Sequence, residues 1–336
     1  MFIIVEGTDA SGKTSLIAAI ENEINARASK GVTAVLHKGR PGELTRRWVL
    51  DDYVNNYQLV DFTQNNLISD RWHWGEITYA PLKRPDTNVD GFGLLGRAGW
   101  RWVELFLLSR GASQFWLYQP LDVIRRRIES RGDDFVQADE LEKILSYYLV
   151  ASASSASLIE KLEPDADSLL DVPKLARYIV SLAAEREQEC ARLSHFAEYI
   201  GSPHPRVLLI GDRKNTRNHA GETILPFMPI DSNSGDFLLN ALPTKLWKDV
   251  GIVNANDTQI DLYDLWSTLG NPRIAVLGRL AEKAMLGSYI PRDYYRVLPH
   301  PQYVRRFHHK DREQYGLAIQ RIADNEMLED DPWILR

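Results

Sequence analysis

The chain is 336 residues long, 44% hydrophobic and 26% charged, with a formal net charge of −6. At ~150 residues per domain this is about two domains of ordinary globular composition, which excludes a disordered chain; no run approaches the ~18 apolar residues of a membrane span. The one cysteine, Cys190, excludes an internal disulfide framework, a cysteine zinc site and an iron–sulfur cluster, and fits a reducing cytoplasm.

In chain order, residues 1–190 alternate strand with helix. Apolar runs predict buried parallel strands at Phe2–Val5, Val32–Leu36, Leu67–Ser69, Phe115–Tyr118 and Leu169–Val172. Between them, helical spacing predicts Thr14–Ala28, Val103–Ser109, Leu121–Ser130 and Asp139–Val150, with Pro173–Tyr199 following the fifth strand. Strand–helix repeats imply right-handed crossovers, hence a parallel five-stranded sheet. The opening MFIIVEGTDASGK has no basic n-region and does not read as a signal peptide. Gly201-Ser202-Pro203-His204-Pro205 reads as a linker. Alternation then restarts, with strands expected at Arg206–Ile210, Val250–Asn254 and Ile274–Leu277. Helices are expected at Phe237–Lys248, Leu262–Leu269, Leu280–Leu286 and Asp311–Ile322. This predicts a domain over 1–200, a linker over 201–205, a second α/β domain over 206–322, and a loosely held acidic tail over 323–336.

Gly7-Thr8-Asp9-Ala10-Ser11-Gly12-Lys13-Thr14 satisfies GxxxxGK[ST] at every fixed position, between a strand and a helix. Backbone N–H groups of such a loop and the helix N-terminus face a phosphate anion. Lys13 then sets a positive charge on the β/γ oxygens, and the Thr14 hydroxyl can ligate Mg²⁺. ATP and Mg²⁺ are the implied cofactors. Asp70, at a strand's carboxyl end, is a second candidate metal ligand, and Arg71 can clamp phosphoryl oxygens. Glu6 or Asp9 can serve a hydroxyl acceptor as base.

This opening resembles that of the thymidylate kinases, which reads FEGxDGSGKT. Gly39-Arg40-Pro41-Gly42 resembles the family's REPGG turn, Ser69-Asp70-Arg71-Trp72 its DRY segment, and Arg125-Arg126-Arg127 through Arg131-Gly132-Asp133-Asp134 its lid. The resemblance spans residues ~1–185 and implies a P-loop kinase fold. It implies an ATP site at Gly7, Thr8, Asp9, Ala10, Ser11, Gly12, Lys13, Thr14 and Ser15, with Arg127 and Arg131 from the lid. It also implies catalytic roles for Asp9, Lys13, Asp70 and Arg71, metal ligation by Thr14 and Asp70, and substrate contacts from Arg40 and Trp72. Deoxynucleoside kinases share the loop and the Asp-Arg pair. Trp74, Trp100 and Trp102 are further aromatic candidates for base stacking, or core residues. Two departures count against an ordinary dTMP acceptor. Tyr118-Gln119-Pro120 stands where the family has an acidic residue, and Tyr79–Arg97 replaces the segment that packs over the monophosphate.

Residues 206–320 resemble the uracil-DNA glycosylase superfamily, a three-layer α/β fold. Val207-Leu208-Leu209-Ile210-Gly211-Asp212 with Pro226-Phe227, Gly251-Ile252-Val253-Asn254, Arg273-Ile274-Ala275-Val276-Leu277-Gly278 and His300-Pro301-Gln302-Tyr303 follow its motif order. An Asn amide matches the O4/N3–H edge of uracil or thymine, a His donates toward O2, and Phe227 stacks on the ring. Arg305 and Arg306, in the basic run 304–312, suit flanking phosphates. Asp212 is the superfamily's water-activating acid, but Arg213-Lys214-Asn215 replaces the usual continuation, which favours a base reader over a hydrolase.

The combination resembles the bacteriophage 5-hydroxymethyluracil DNA kinases. It implies ATP-dependent phosphorylation of the 5-hydroxymethyl group of 5-hydroxymethyluracil in DNA, a step in phage thymidine hypermodification, in the host cytoplasm. The partner is then DNA bearing a modified pyrimidine, with no membrane involved. Two alternatives stay open. One is a thymidylate or deoxynucleoside (mono)phosphate kinase with an accessory domain, acting on a free pyrimidine nucleotide. The other is a DNA-repair glycosylase with a nucleotide-binding domain.

Overall fold

The computed structural model describes residues 1–27, 32–39, 41–58, 65–131, 136–137, 139–163, 171–213, 225–230, 233–256, 260–326 and 331–335, without the Arg131 side chain. The chain divides into two compact units. The first comprises Met1–Gly96 and Gly111–Glu189, and the second Arg97–Arg110 and Cys190–Arg336. Residues 97–110 thus belong with the C-terminal half although they lie within the N-terminal half of the sequence.

The first unit contains β1 (Phe2–Glu6), α1 (Lys13–Ala26), β2 (Thr33–His37), α2 (Arg46–Gln58), β3 (Asn66–Asp70) and the short helices α3 (Gly75–Thr78) and α4 (Ala80–Lys83). After α5 (Gly96–Ser109), which groups with the second unit from Arg97 onward, come β4 (Ala112–Leu117), α6 (Leu121–Arg131), α7 (Leu141–Ser154), β5 (Leu158–Leu162) and α8 (Val172–Ala191). The five strands form one parallel sheet in the order β2-β3-β1-β4-β5. A P-loop follows its central strand, a layout consistent with a P-loop kinase fold. Leu16, Ile17, Ile20 and Ile24 make the buried stripe of α1 at helical spacing. They pack with Ile3, Val5, Ile68, Phe115 and Ile179 in one core cluster.

The onward connections of β1 and β3 run to opposite sides of the sheet, since β1 leads toward β2 and β3 leads back across to β4. In open α/β sheets the crevice beyond the carboxyl ends of such strands is the ligand position. The phosphate loop follows β1 and Asp70-Arg71 closes β3, so this divergence brings the two motifs together.

One strand lies elsewhere than expected. The fifth strand is Leu158–Leu162, whereas Val172 opens α8 and residues 169–170 fall outside the described residues. Leu158–Leu162 is an edge strand with mixed exposure, so it lacks the continuous apolar run of a buried parallel strand.

The second unit holds β6 (Ile200–Gly201), β7 (Val207–Gly211), α9 (Ser234–Ala241), β8 (Val250–Asn254), α10 (Leu262–Thr268), β9 (Arg273–Leu277), α11 (Arg279–Met285), β10 (Tyr295–Leu298), α12 (Pro301–Phe307) and α13 (Arg312–Ala323). Its sheet runs β10-β9-β7-β8-β6, parallel except for the antiparallel edge β6. Strands β7 and β9 are the adjacent pair whose onward connections diverge, which sets a second crevice at their carboxyl ends. Arg101 is buried and donates to the carbonyls of Leu239 (2.6 Å) and Leu242 (2.7 Å), tying α5 to the end of α9. The tail is not loosely held over its described part. Leu335 packs on the core and donates its N–H to Val297 (2.9 Å), and Asp331 pairs with Arg321 (2.7 Å). Among the described residues no helix is long and apolar enough to cross a membrane.

Candidate active site

The phosphate loop wraps through two unusual backbone positions, Ala10 (φ 59°) and Gly12 (φ 100°), before α1 begins at Lys13. The first turn of a helix carries N–H groups without intrahelical partners, which face an anion at this end. Thr14 and Ser15 are exposed in that first turn, while Thr8, Ser11 and Lys13 are buried. Tyr148 on α7 donates its hydroxyl to the Gly7 carbonyl (2.7 Å), and Arg127 on α6 donates to the Ala10 carbonyl (3.1 Å). Arg127 therefore sits against the loop. Arg125 and Arg126 point to solvent, and Arg126 pairs with Asp122 on its own helix (3.1 Å).

Lys13 donates to the Thr8 carbonyl (2.7 Å) and is 6% exposed. Burial, reinforced by the charge of Arg71, lowers its pKa to about 8 against the pull of Asp70, Asp9 and Glu6. Only the ammonium form neutralises a phosphate, so ATP affinity should fall as pH rises past about 8. Calorimetric titration on either side of that pH checks this, and a flat profile would mean that phosphate contact does not depend on the Lys13 charge.

Three carboxylates surround the lysine. Asp9 is ion-paired with Arg71 and accepts from the Tyr79 hydroxyl (3.3 Å). Burial pushes the Asp9 carboxyl up, but Arg71, Lys13 and the hydrogen bonds from Arg71 and Tyr79 outweigh it and hold it below its ordinary value. Glu6 is fully buried and accepts from the Trp72 N–H (2.8 Å), while its Oε2 has no partner among the described residues. Burial pushes the Glu6 carboxyl up, against the opposing pull of His73, the Trp72 N–H, Arg71 and Lys13. Asp70 pairs through Oδ2 with His37 Nδ1 (3.2 Å), leaving Oδ1 buried and without a partner among the described residues. Arg71, next in the chain, adopts φ 66°, a left-handed backbone that costs a non-glycine residue energy and clusters at functional sites.

Mg²⁺ prefers one or two carboxylates with phosphate oxygens and waters making up its octahedron. The unpartnered Asp70 oxygen and the exposed Thr14 hydroxyl fit that demand. Among the described residues no group of three or more His, Cys, Asp or Glu could hold a metal by itself, so the nucleotide phosphates would supply the remaining ligands.

A cavity of about 510 Å³ opens beside this centre. It is lined by the aromatic rings of Trp48, Tyr53, Trp72 and Tyr79, by His37, Lys38, Arg71, Lys83 and Arg84, and by Asp52, Asn56 and Glu76. Among the described residues, every lining lysine and arginine already faces a carboxylate. Lys38 pairs with Asp52, Arg71 with Asp9, Lys83 with Glu140 (2.6 Å) and Arg84 with Glu76 (2.7 Å). Lys38 also lies 5.2 Å from the Tyr53 ring and 5.0 Å from that of Trp72. Trp72 thus reaches the cavity, whereas Trp74, Trp100 and Trp102 are at most 1% exposed and belong to the core. Arg40 lies outside the described residues. The departure Tyr79–Arg97 proves useful here, since it supplies Tyr79, Lys83 and Arg84 to the cavity wall.

The second crevice gathers the other motif residues. Asp212 follows β7, Asn254 ends β8, and His300 follows β10 and caps α12. The rings of Phe227 and His300 are 6.4 Å apart. His300 Nδ1 accepts the Gln302 N–H (3.2 Å), and burial lowers its pKa despite the nearby Asp212 charge. A neutral imidazole has one N–H; with Nδ1 accepting, that proton is on Nε2, which becomes a donor. Asp212 accepts from Asn256 Nδ2 (2.6 Å) and lies 3.7 Å from Arg213 Nε. Arg305 is partly exposed and Arg306 exposed on α12; Lys214 and Asn215 lie outside the described residues.

Gly211 is what lets these side chains meet. A Cβ there would lie 2.4 Å from Asn254 Oδ1 and 2.5 Å from the Phe227 ring, and one on Gly235 would lie 2.1 Å from the Phe227 carbonyl. Gly211→Ala should destabilise the second unit by about 1–3 kcal/mol through overpacking, read as a lower Tm. An unchanged Tm would mean that Asn254 and Phe227 yield freely.

No family model matches the chain. Over 146 residues it is 24% identical to the SPbeta prophage-derived uncharacterized protein YorR of Bacillus subtilis, covering 44% of this chain and 78% of YorR. Among solved structures, YorR from Bacillus subtilis in complex with phosphorylated GDP aligns with a TM-score of 0.43 and 19% identity, over 56% of this chain and 98% of YorR. Deoxyadenosine kinase from M. mycoides, with dCMP and dCDP bound, aligns with a TM-score of 0.34 and 16% identity, over 55% of this chain and all of the kinase (100%).

Proposed function

We propose that the chain is an ATP-dependent phosphotransferase whose acceptor is an uncharged hydroxyl on a pyrimidine, the 5-hydroxymethyl group of 5-hydroxymethyluracil in DNA. The cavity beside the phosphate loop carries this reading. Its walls are aromatic and all of its described lysines and arginines are already neutralised by carboxylates. A nucleoside monophosphate brings a dianion that needs free cations, whereas an alcohol on a base or nucleoside does not.

In this reading the loop amides and Lys13 hold the triphosphate, and Arg71, fixed by Asp9 and Tyr79, faces the transferred phosphoryl group. Glu6 accepts the proton of the attacking hydroxyl, because it has an unpartnered oxygen and a raised pKa, while both Asp9 oxygens are engaged. The acceptor oxygen bonds to the γ-phosphorus as the bond to the β–γ bridging oxygen breaks, and ADP leaves. Mg²⁺ would be held by Thr14 and Asp70 and would supply charge neutralisation on the phosphates.

The second crevice supports a base-reading role. The Asn254 amide supplies a donor and an acceptor, the His300 Nε2 proton suits a pyrimidine carbonyl, Phe227 offers a ring, and Arg305 and Arg306 suit flanking phosphates. The expected product of ATP and DNA containing 5-hydroxymethyluracil is a phosphomethyl-uracil nucleotide, recovered by nuclease digestion and mass spectrometry. Its absence, with ATP converted only to ADP and free phosphate, would reject the reading. A free deoxynucleoside acceptor is the second reading, favoured by the same cavity, which accepts an uncharged sugar hydroxyl equally.

A further inference from the structure

The C-terminal part of the second unit carries a row of rings that neither crevice uses. Tyr303 and Phe307 lie four residues apart on α12, hence on one face, and are 50% and 68% exposed. Single exposed apolar side chains are ordinary, but these two belong to a row. Their ring centres are 5.1 Å apart, Tyr303 is 5.6 Å from His308, and His308 is 6.3 Å from Trp333. Trp333 in turn meets the buried Tyr315 ring at 5.5 Å, which anchors the row in the core. Tyr303 is inclined by 46° to Phe307 and by 42° to His308, so the rings do not stack flat on one another. Close to the row in sequence stand the exposed Arg306, Lys310 and Arg312, against Asp311, Glu313 and Asp331, the last paired with Arg321 (2.7 Å).

We propose that this row of Tyr303, Phe307, His308 and Trp333, flanked by those cations, is a stacking platform for an unpaired nucleic-acid strand. The proposal rests on the reading of the second unit as a nucleic-acid module and names the form of its ligand. Phosphates answer the cations, and exposed rings gain from bases whose faces are open, a condition that an intact duplex does not offer. A protein partner of ordinary composition would satisfy the rings but leave the density of positive charge unexplained. The row also explains why the chain's last described residues are packed down, since they deliver Trp333.

The test is fluorescence anisotropy of the full chain with a labelled dT oligomer of about 15 nucleotides, a length that spans a stacking site, against a blunt duplex of the same length. The expected result is tighter binding of the single strand, weakened about tenfold or more in Tyr303→Ala/Phe307→Ala and retained in Tyr303→Trp/Phe307→Tyr. Replacing Lys310 and Arg312 by Gln should lower the salt slope by up to about one unit per lost phosphate contact. Because both rings are exposed, the variants should keep the wild-type Tm, which confirms that they fold. Equal or tighter duplex binding overturns the proposal, as does single-strand binding indifferent to the alanine pair, or binding to anionic vesicles in place of the oligomer. Loss of the platform leaves phosphoryl transfer to be judged by its own product, so the two readings fail separately.

Discussion

Lys13→Ala should reduce phosphoryl transfer by about three orders of magnitude, the loss expected when a preorganised charge on the reacting group is removed. The lysine is buried and held against the Thr8 carbonyl at 2.7 Å. Its charge therefore acts in a site that water screens poorly. Its environment holds its pKa at about 8, so part of the population is neutral in mildly alkaline solution until phosphate binding draws a proton onto it. The variant should fold, because the shortened side chain gives up a buried charge as well as its hydrogen bond. Single-turnover kinetics separates the loss of chemistry from the loss of ATP binding. Undiminished transfer would remove the phosphate loop from the reaction.

Glu6→Gln should lower turnover by about 10²- to 10⁴-fold, the usual worth of a positioned general base, while leaving ATP affinity nearly intact. Glutamine keeps an acceptor for the Trp72 N–H, which Glu6 takes at 2.8 Å, so local packing survives. The sign of the pH effect follows from burial. A carboxyl pushed up by desolvation is protonated, and idle as a base, at pH values where an exposed glutamate is already ionised. Turnover should thus rise with pH through an apparent pKa above the ordinary carboxylate range, and this limb should vanish in Glu6→Gln. If instead Asp9→Asn removes the limb and Glu6→Gln does not, the base is Asp9. That outcome would require Asp9 to release Arg71 when substrate binds.

Much of the first unit was legible in the sequence because its signals are local. The phosphate loop needs eight consecutive residues and a strand before it, and the buried strands announce themselves as apolar runs. Edge strands do not. Leu158–Leu162 is half-exposed and follows a serine-rich helix end, so its alternation was hidden, and the more apolar Leu169–Val172 drew the assignment instead. Strand β10 was missed because four residues beside a His-Pro motif look like part of the loop. Helix α2 went unread although Val49, Leu50, Tyr53 and Val54 are buried at helical spacing; its many polar residues masked that stripe.

The cavity wall was the least readable feature. Lys38 follows β2, Asp52 and Tyr53 lie on α2, and Glu76 and Arg84 follow β3, so the wall exists only once these three stretches are brought side by side. Ion pairs of this sort have no spacing rule in sequence. In the second unit the order of motifs pointed to a common crevice, and Phe227 does lie beside His300. The room for that meeting comes from the absent side chains of Gly211 and Gly235, which sequence records only as two glycines among 21.

The proposed acceptor is an uncharged hydroxyl on a pyrimidine in DNA. The most direct measurement offers γ-labelled ATP to DNA containing 5-hydroxymethyluracil, to free 5-hydroxymethyl-deoxyuridine and to dTMP side by side, and compares kcat/KM. The paired cations of the cavity predict transfer to the hydroxymethyl group, highest in DNA and negligible to the dTMP phosphate. Efficient conversion of dTMP to dTDP, with no label in the polymer, would contradict it.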